Sequence, residues 1–350
     1  MKILITGGCG FIGSNAASRY LKAGHSVVVI DNLVRQTSAQ NLNWLRAQGE
    51  FEFQAVDVRD FQSLRAVFQR HSDVNRILHL AAQVAVSASL IDPRADFEAN
   101  ALGTLNVLEG LRELQSDALL LYASTNKVYG SLSDLPAAQH NGAYCFPKLP
   151  FGIPEDRVVE PCTPYGCSKA TADQYVRDYH ATFGLNTIVF RQSCIYGYRQ
   201  FGSEDQGWVA WLMAASLLGC TITFFGDGRQ TRDLLFIEDL LDAFDAAFAA
   251  GPRIAGGVYN IGGGPTNTAS LRSLIAFIAN RNKATPRYIC SDWRSGDQKV
   301  FVSDIRKANH DFGWSPRTKC EAGFDLLFDW VTANLHFFSK QHARNSQEER

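Results

Sequence analysis

Short apolar runs alternate with helical patterns through the first half of the chain. The runs are rich in Val, Ile, Leu and Phe, and they span residues 2–6, 26–31, 51–56, 76–80, 118–124 and 186–191. Helical patterns lie between them, notably over residues 12–23, 60–70 and 95–114. Continuous apolar strands that alternate with helices indicate a parallel sheet covered on both faces. We therefore predict an α/β fold with a doubly wound parallel sheet.

The alternation becomes irregular after the fifth apolar run. Residues 131–163 contain five prolines, and we interpret them as a long irregular excursion of the kind that is often functional in compact domains. Residues 1–191 are predicted to form mainly the first domain. Residues 192–335 are predicted to form a smaller C-terminal substrate-binding lobe, with some chain crossing back to the first domain. The polar residues 336–350 lack apolar periodicity, and we expect a disordered tail.

Composition argues against several classes of partner. The 350-residue chain has a net charge of −1, so it has no general attraction to nucleic acid or to an anionic membrane. No run of about 20 apolar residues predicts a membrane span, and the N-terminal run passes directly into glycines, unlike a signal peptide. The eight cysteines are scattered without a CxxC pair, which favours reduced thiols in a cytoplasmic protein. No group of His, Asp and Glu has metal-site spacing, so no metal is expected.

A glycine-rich run follows the first predicted strand and opens the first helix. Its key glycines, Gly7, Gly10 and Gly13, have the spacing GxxGxxG, which lets the backbone approach a pyrophosphate at the helix N-terminus. Asp31 ends the second strand, where a carboxylate can bind both ribose hydroxyls and repel a 2′-phosphate. The pattern predicts a Rossmann-type domain with NAD as cofactor, although Arg35 lies where an arginine can accept the extra phosphate of NADP.

Asp57 follows the third predicted strand, where an adenine could lie and Val58 could line it. Asp57 could equally cap the next helix. The sequence leaves both interpretations open.

Tyr165 and Lys169 are four residues apart behind Pro164, a residue well tolerated at a helix start. On a helix they share a face, and an ammonium group next to a phenol should lower its pKa. Such a tyrosine can remove a proton from a hydroxyl while hydride leaves carbon for a nicotinamide. Ser124 and Thr125 follow the fifth strand, and their hydroxyls could bond the reacting oxygen. Taken singly, these residues could also form a surface pair and a turn.

Several motifs together give a resemblance to a known family. They are GGCGFIG, Asp31-Asn32, HLAAQ, NALGTLNVLE, STNKVYG, PYGCSK and RDLLFIEDL, and they reach from the N-terminus to the region before residue 335. This combination resembles the extended short-chain dehydrogenase/reductase family. The resemblance implies that Tyr165 is the catalytic acid/base, that Lys169 holds the nicotinamide ribose, and that Ser124, with Thr125, orients the substrate hydroxyl.

The resemblance also implies which residues surround the ligands. Beside the glycines, Asp31, Arg35, Asp57, Val58, Tyr165 and Lys169, the residues expected at the cofactor are Phe11, Ile12, Asn32, Leu80, Ala81, Ala82, Gln83, Asn100 and Ala123. Those expected at a nucleotide-sugar are Gln83, Ser124, Thr125, Asn126, Ser193, Arg199, Gln200, Gln206, Gly207, Trp208, Val209, Arg232 and Arg294. The two arginines Arg232 and Arg294 would hold its diphosphate. A homodimer or homotetramer is implied, with helices 95–114 and 164–183 at the interface.

The residues after Thr125 favour one reaction within the family. Sugar 4,6-dehydratases carry Asp-Glu there, the acid and base of water elimination, whereas this chain has Asn126 and Lys127. An amide is no general acid, and an ammonium is no base unless its pKa falls, so epimerisation is favoured over dehydration.

The blocks STNKVYG, PYGCSKATADQYV and DQGWVAW further resemble the CDP-paratose 2-epimerase branch, whose members oxidise C2 of a CDP-linked 3,6-dideoxyhexose. Gln192 and Cys194 flank Ser193 where relatives vary. The alternatives are a UDP-hexose 4-epimerase and a nucleotide-sugar dehydratase or reductase of the same family. A non-enzymatic NAD-binding regulator is disfavoured because both Tyr165 and Lys169 are present.

Overall fold

The computed structural model describes residues 1–294 and 296–338. Its strands are β1 Lys2–Thr6, β2 Ser26–Ile30, β3 Glu52–Gln54, β4 Arg76–His79, β5 Leu119–Thr125, β6 Ala138–His140, β7 Ala143–Cys145, β8 Thr187–Gln192, β9 Cys194–Tyr196, β10 Ile222–Phe225, β11 Thr231–Phe236, β12 Val258–Ile261, β13 Thr268–Ser270, β14 Tyr288–Ser291 and β15 Val300–Phe301. Its α-helices are α1 Phe11–Lys22, α2 Gln36–Arg46, α3 Phe61–Arg70, α4 Val86–Ile91, α5 Pro93–Phe97, α6 Gly103–Glu113, α7 Pro164–Phe183, α8 Trp208–Leu217, α9 Ile237–Ala250, α10 Leu271–Asn282, α11 Arg306–Phe312 and α12 Cys320–Ala333.

Seven parallel strands form the main sheet, in the order β12-β8-β5-β4-β1-β2-β3. Alternate residues of its central strands enter different hydrophobic clusters: Leu119 and Leu121 pack on one face, and Leu120 and Tyr122 pack on the other. Both faces are therefore covered by other elements, which is why the strands read as continuous apolar runs. The predicted doubly wound parallel sheet is confirmed.

The predicted helix over residues 95–114 is instead three consecutive pieces. Asp92 caps α5 by accepting a hydrogen bond from the Ala95 N–H, a π-helical stretch follows over Glu98–Leu102, and α6 continues from Gly103. A π-helical turn inserts one residue into the helical register, and such turns are frequent at functional sites. Asn100 lies in this stretch and turns its side chain into the protein interior.

Residues 131–163 are largely irregular, with one short hairpin, β6–β7, that the sequence did not predict. Leu132 and Ile153 are buried with Phe301 in a small cluster of their own. The Gln298 side chain donates to the Gly130 carbonyl at 2.6 Å, which ties this segment to the later part of the chain.

Residues beyond 192 form smaller sheets and helices, and one of their strands returns to the main sheet. β12 pairs with β8, whereas β11 pairs with β9, β13 and β15, and β10 pairs with β14. Phe338 is buried against Phe201 and Trp330, so ordered packing extends past the predicted boundary at residue 335. Residues 339–350 of the predicted tail lie outside the described residues. Within the described part of the chain, every helix is too short or too polar to span a membrane.

Candidate active site

One cavity of about 950 Å³ crosses the carboxyl ends of the sheet strands, and its size lies at the upper end of ordinary ligand pockets. Its cofactor end is lined by the glycine-rich loop and by residues that follow β2, β3 and β4. Its substrate end is lined by residues within the segments 192–195 and 200–212, by residues of β10 and β11, and by Arg294. All the residues predicted to contact cofactor or substrate line this cavity except Asn100.

The glycine-rich loop has no room for side chains at two positions. Gly7 has a φ of +68°, and a Cβ there would lie 2.7 Å from the Ala81 nitrogen. A Cβ on Gly13 would lie 2.2 Å from the Gly7 carbonyl oxygen. α1 then begins at Phe11, so its unpaired N–H groups face the cavity beside a close-packed backbone. This arrangement fits the pyrophosphate of NAD.

Asp31 holds the loop in place from the end of β2. Its carboxylate accepts hydrogen bonds from the Cys9 N–H at 2.9 Å and the Leu33 N–H at 2.8 Å. Burial raises its pKa, and these two bonds and the charge of Arg35 oppose that rise. A carboxylate oxygen can accept more than one hydrogen bond, so Asp31 retains acceptor capacity for the ribose hydroxyls.

Asp57 is already engaged by protein groups. Its carboxylate accepts hydrogen bonds from Arg59, at 3.0 and 2.7 Å, and from the Asn32 amide at 2.8 Å. The Arg59 bond is the main reason that its pKa falls to about 2. The alternative cap role is wrong, because Asp60 caps α3 by accepting from the Ser63 N–H. Asp57 therefore lines the cavity as a carboxylate whose charge Arg59 neutralises, and its place beside an adenine stays a prediction.

Asn100 does not line the cavity, and its predicted contact with the cofactor stays a prediction. Its side chain is 1% exposed, accepts from the Gln83 N–H at 2.9 Å and donates to the Ser168 hydroxyl at 3.0 Å. Gln83 lines the cavity, but its side-chain nitrogen donates to Ala85 and Asp96. Asn100 thus positions the segment after β4 against α7.

Tyr165 and Lys169 lie in the first turns of α7. The helix begins as predicted, with Pro164 in its first turn and the Thr163 hydroxyl accepting from the Gly166 N–H at 3.1 Å. Lys169 donates to the Ala123 carbonyl at 2.5 Å, and its ammonium lies 4.3 Å from the centre of the Tyr122 ring. Burial lowers the pKa of Lys169 to about 7.

The expected effect of Lys169 on Tyr165 is not found in the protein alone. Burial raises the pKa of Tyr165 to about 12, and the Thr125 hydroxyl and the charge of Arg35 only partly oppose this rise. The helix spacing places the two side chains on one face, but Lys169 directs its ammonium at the β5 backbone. Desolvation of the phenol outweighs the nearby positive charges.

The two hydroxyls at the end of β5 have different partners. Ser124 donates to the Asp173 carboxylate at 2.8 Å, and Arg191 holds that carboxylate with bonds of 2.9 and 3.0 Å. Its proton is therefore directed away from the phenol. Thr125 instead donates to the Asn126 side-chain oxygen at 3.3 Å, and its hydroxyl lowers the pKa of Tyr165. The Thr125 hydroxyl thus acts on the phenol of Tyr165, whereas the Ser124 hydroxyl is engaged by Asp173. The roles of both hydroxyls in orienting the substrate stay predictions.

The substrate end contains cationic side chains, and one of them, Lys127, was not among the residues predicted to contact substrate. Lys127 donates to the Gly296 carbonyl at 3.1 Å, and burial and the charge of Arg232 lower its pKa to about 8. Arg232 donates to two backbone carbonyls, at 2.8 and 2.7 Å. Arg294 lies 3.5 Å over the centre of the Phe225 ring. The available signal for Lys127 was its place two residues after Thr125.

Neutral residues complete the substrate end. Ser193 donates its proton to Asp233, the Gln200 side chain donates to the Ile195 carbonyl at 3.1 Å, and Val209 is a core residue, 2% exposed. The cavity is also lined by four residues that the sequence analysis expected at a nucleotide-sugar: Asn126, Gln206, Gly207 and Trp208. Gln192 also lines it, and its side-chain nitrogen is buried without a hydrogen-bond partner among the described residues. The register Thr125↔Gln192 places Gln192 beside Thr125 on the neighbouring strand.

Comparison with known proteins identifies the family. Residues 3–262 match the NAD dependent epimerase/dehydratase family. The chain belongs to this family. It is 40% identical over 338 residues to the CDP-paratose 2-epimerase of Salmonella typhi, covering 95% of this chain and all of that protein.

Solved structures of the family share the whole architecture. The UDP-glucose 4-epimerase of Thermotoga maritima, solved with UDP-glucose, has a TM-score of 0.82 at 27% identity and covers 96% of this chain and 100% of its own. The UDP-glucuronic acid 4-epimerase of Bacillus cereus, solved with UDP-glucuronic acid and NAD, has a TM-score of 0.81 at 28% identity and covers 95% of this chain and 99% of its own.

Membership of the NAD-dependent epimerase/dehydratase family confirms three predictions: the family, the Rossmann-type fold and NAD as the cofactor. It also supports nucleotide-sugar epimerase activity. The residues at the cofactor end fit NAD, because Gly7 and Gly13 let the loop pack closely against α1 and the backbone after β4, and Asp31 retains acceptors for ribose.

Proposed function

We propose that this protein is a C2 epimerase of a CDP-linked 3,6-dideoxyhexose and interconverts CDP-paratose and CDP-tyvelose. The observation that carries the proposal is the meeting of Tyr165 and Thr125 at the junction of the cofactor and substrate ends, next to Asn126. This pair can move a proton on and off a sugar oxygen. The 40% identity to a CDP-paratose 2-epimerase over its full length supports the choice of carbon and carrier.

The two residues that follow β5, Asn126 and Lys127, disfavour dehydration. Burial brings the pKa of Lys127 to about 8, so its amine comes within range of a general base. Asn126, however, still offers no acidic proton to a leaving hydroxyl. Without that acid, the reaction that fits the residues is reversible oxidation.

NAD held by the glycine-rich loop and Asp31 would supply reversible hydride transfer at a sugar carbon, by way of a keto-sugar and without net consumption of the cofactor. Tyr165 takes the proton of the hydroxyl on that carbon and gives it back to the oxygen. Thr125 orients the same oxygen, and Lys169 supports the cofactor from the Ala123 side. Arg35 and Thr125 each lower the pKa of Tyr165, which favours the phenolate required for proton removal. Epimerisation needs the ketone to present its opposite face before the hydride returns.

The cations of the substrate end support binding of a nucleoside diphosphate. Arg232 and Arg294 are suited to the diphosphate, because guanidinium groups bind phosphate oxygens in a bidentate manner. Lys127 and Arg232 repel one another across the cavity, and an anionic ligand would offset that repulsion. We assign Lys127 to the substrate on this basis.

We also propose a homo-oligomer located in the cytoplasm. Phe97 and Leu102 in the 95–114 region and Phe183 at the end of α7 are large exposed apolar residues, which supports an interface on these helices. The eight cysteines are free thiols, which supports a reducing compartment.

The function is tested by incubating the purified protein with CDP-paratose, UDP-glucose and UDP-glucuronic acid and recording proton NMR spectra. We expect a new anomeric signal only with CDP-paratose, without added NAD if the cofactor is retained and otherwise with NAD supplied. Tyr165→Phe should lower the turnover by roughly 10²-fold or more, because it removes the proton-transfer group. Tyr175→Phe, on an exposed position of the same helix, is the matched control. Turnover of UDP-glucose instead would make the protein a hexose 4-epimerase.

A further inference from the structure

Arg199 is a buried cation without an acidic partner among the described residues. It is 7% exposed, and its backbone adopts a φ of +64°, in the left-handed region that non-glycine residues rarely occupy. Its guanidinium lies over the rings of Trp44 and Phe201, at 4.9 and 5.2 Å from their centres. Burial alone lowers its pKa to about 10, with no carboxylate to oppose it.

Arg199 is fixed against the cofactor end of the cavity, although it belongs to the segment expected to hold substrate. Its Nε donates to the Asn41 side-chain oxygen on α2 at 2.9 Å, and the Asn41 nitrogen donates to the Cys9 carbonyl in the glycine-rich loop at 3.0 Å. The preceding residue, Tyr198, accepts a bond from Asn15 on α1 at 2.8 Å. The cation is thus held beside the start of α1 from two helices.

A buried guanidinium without a counter-charge is costly, and a strained backbone conformation adds to that cost. Arg199 uses two of its five N–H groups, on Asn41 and the Gln40 carbonyl, so donors remain for a ligand. The cavity next to it is where the N–H groups of α1 already favour an anion. An anionic group at this point would neutralise the charge and accept its free donors.

We propose that Arg199 binds the diphosphate of NAD rather than the diphosphate of the nucleotide-sugar. The segment after β9 would then contribute directly to cofactor binding and would oppose loss of NAD between the two hydride transfers. Arg232 and Arg294 remain at the other end of the cavity for the second diphosphate. The proposal does not depend on which sugar is the substrate.

The test compares Arg199→Met with wild type, and it separates the two diphosphates. NAD is titrated by calorimetry into protein freed of nucleotide, without sugar present, and the KM of the sugar substrate is measured at saturating NAD. We expect the half-saturating NAD concentration to rise at least about tenfold and the KM to change less than about threefold. Arg70→Met is the matched control, because Arg70 is an exposed arginine on α3 that does not line the cavity.

An unchanged NAD affinity in Arg199→Met, or a rise confined to the KM of the sugar, would overturn the proposal. The circular dichroism spectrum of the variant checks its fold. If Arg199→Met does not fold, Arg199→Lys decides, because lysine keeps the charge but loses the bidentate geometry. NAD affinity weakened at least about threefold in Arg199→Lys supports the contact, and an unchanged value contradicts it. Both titrations omit the sugar, so they remain valid if the proposed C2 reaction fails.

Discussion

The two ends of the cavity differ in how their polar groups are satisfied. At the cofactor end, Asp31 is bound by two backbone N–H groups, and Asp57 is neutralised by Arg59. At the substrate end, Lys127 bonds one backbone carbonyl, and Gln192 has a buried amide nitrogen without a partner among the described residues. The acids of the cofactor end thus have protein partners, whereas the Gln192 amide nitrogen of the substrate end has none among the described residues. We therefore expect affinity for NAD and choice of sugar to depend mainly on separate residues.

The largest expected effect on kcat concerns the two hydroxyls at the end of β5, which lie between the two ends of the cavity. Thr125→Val removes the hydroxyl that contacts Tyr165 but keeps the volume, and we expect kcat to fall by roughly 10²-fold, as for loss of a proton-transfer partner. Ser124→Ala removes a bond to Asp173, and we expect kcat to fall less than tenfold, with about 1 kcal/mol lost from the free energy of unfolding. Steady-state kinetics and urea denaturation measure both. A larger kcat loss in Ser124→Ala would support the predicted role of Ser124.

A smaller effect is expected at Lys127, and it concerns the substrate end alone. Because the pKa of Lys127 is lowered to about 8, its charge is present below that pH and is lost as the pH rises through it. We expect the Lys127 contribution to kcat/KM to decrease between pH 7 and pH 9, by about threefold to tenfold. The pH profile of kcat/KM measures this loss, since it reports groups of the free enzyme.

Lys127→Arg is the matched variant for that profile, because arginine stays charged over this range. Dividing the wild-type profile by the variant profile removes the shared contribution of Tyr165. Parallel profiles in the two proteins would exclude Lys127 as a charge that the substrate requires.

Local motifs made the fold and the cofactor end predictable. The apolar runs placed six strands of the main sheet within a few residues, and the seventh, β12, comes from the later half of the chain. The spacing of Gly7, Gly10 and Gly13 and the position of Asp31 encode a loop formed by residues close in sequence. Tyr165 and Lys169 likewise share one helix, so their spacing could be interpreted without a tertiary structure.

The remaining features depend on contacts between distant residues. Ser124 meets Asp173 49 residues away, and Arg199 meets Asn41 158 residues away, so no local pattern separates Ser124 from Thr125 or assigns Arg199 to the cofactor end. The pKa of Tyr165 depends on burial, which the spacing of Tyr165 and Lys169 does not contain. Local motifs can therefore indicate candidate site residues, whereas the partners of those residues require the tertiary structure.

The central claim is that one hydride leaves C2 of the sugar and returns to the same carbon. It is tested most directly with CDP-paratose that carries deuterium at C2. We predict CDP-tyvelose that retains the deuterium at C2, with none released to water, as measured by NMR and mass spectrometry. Loss of the label to solvent, or a product inverted at C4 with C2 unchanged, would contradict the account.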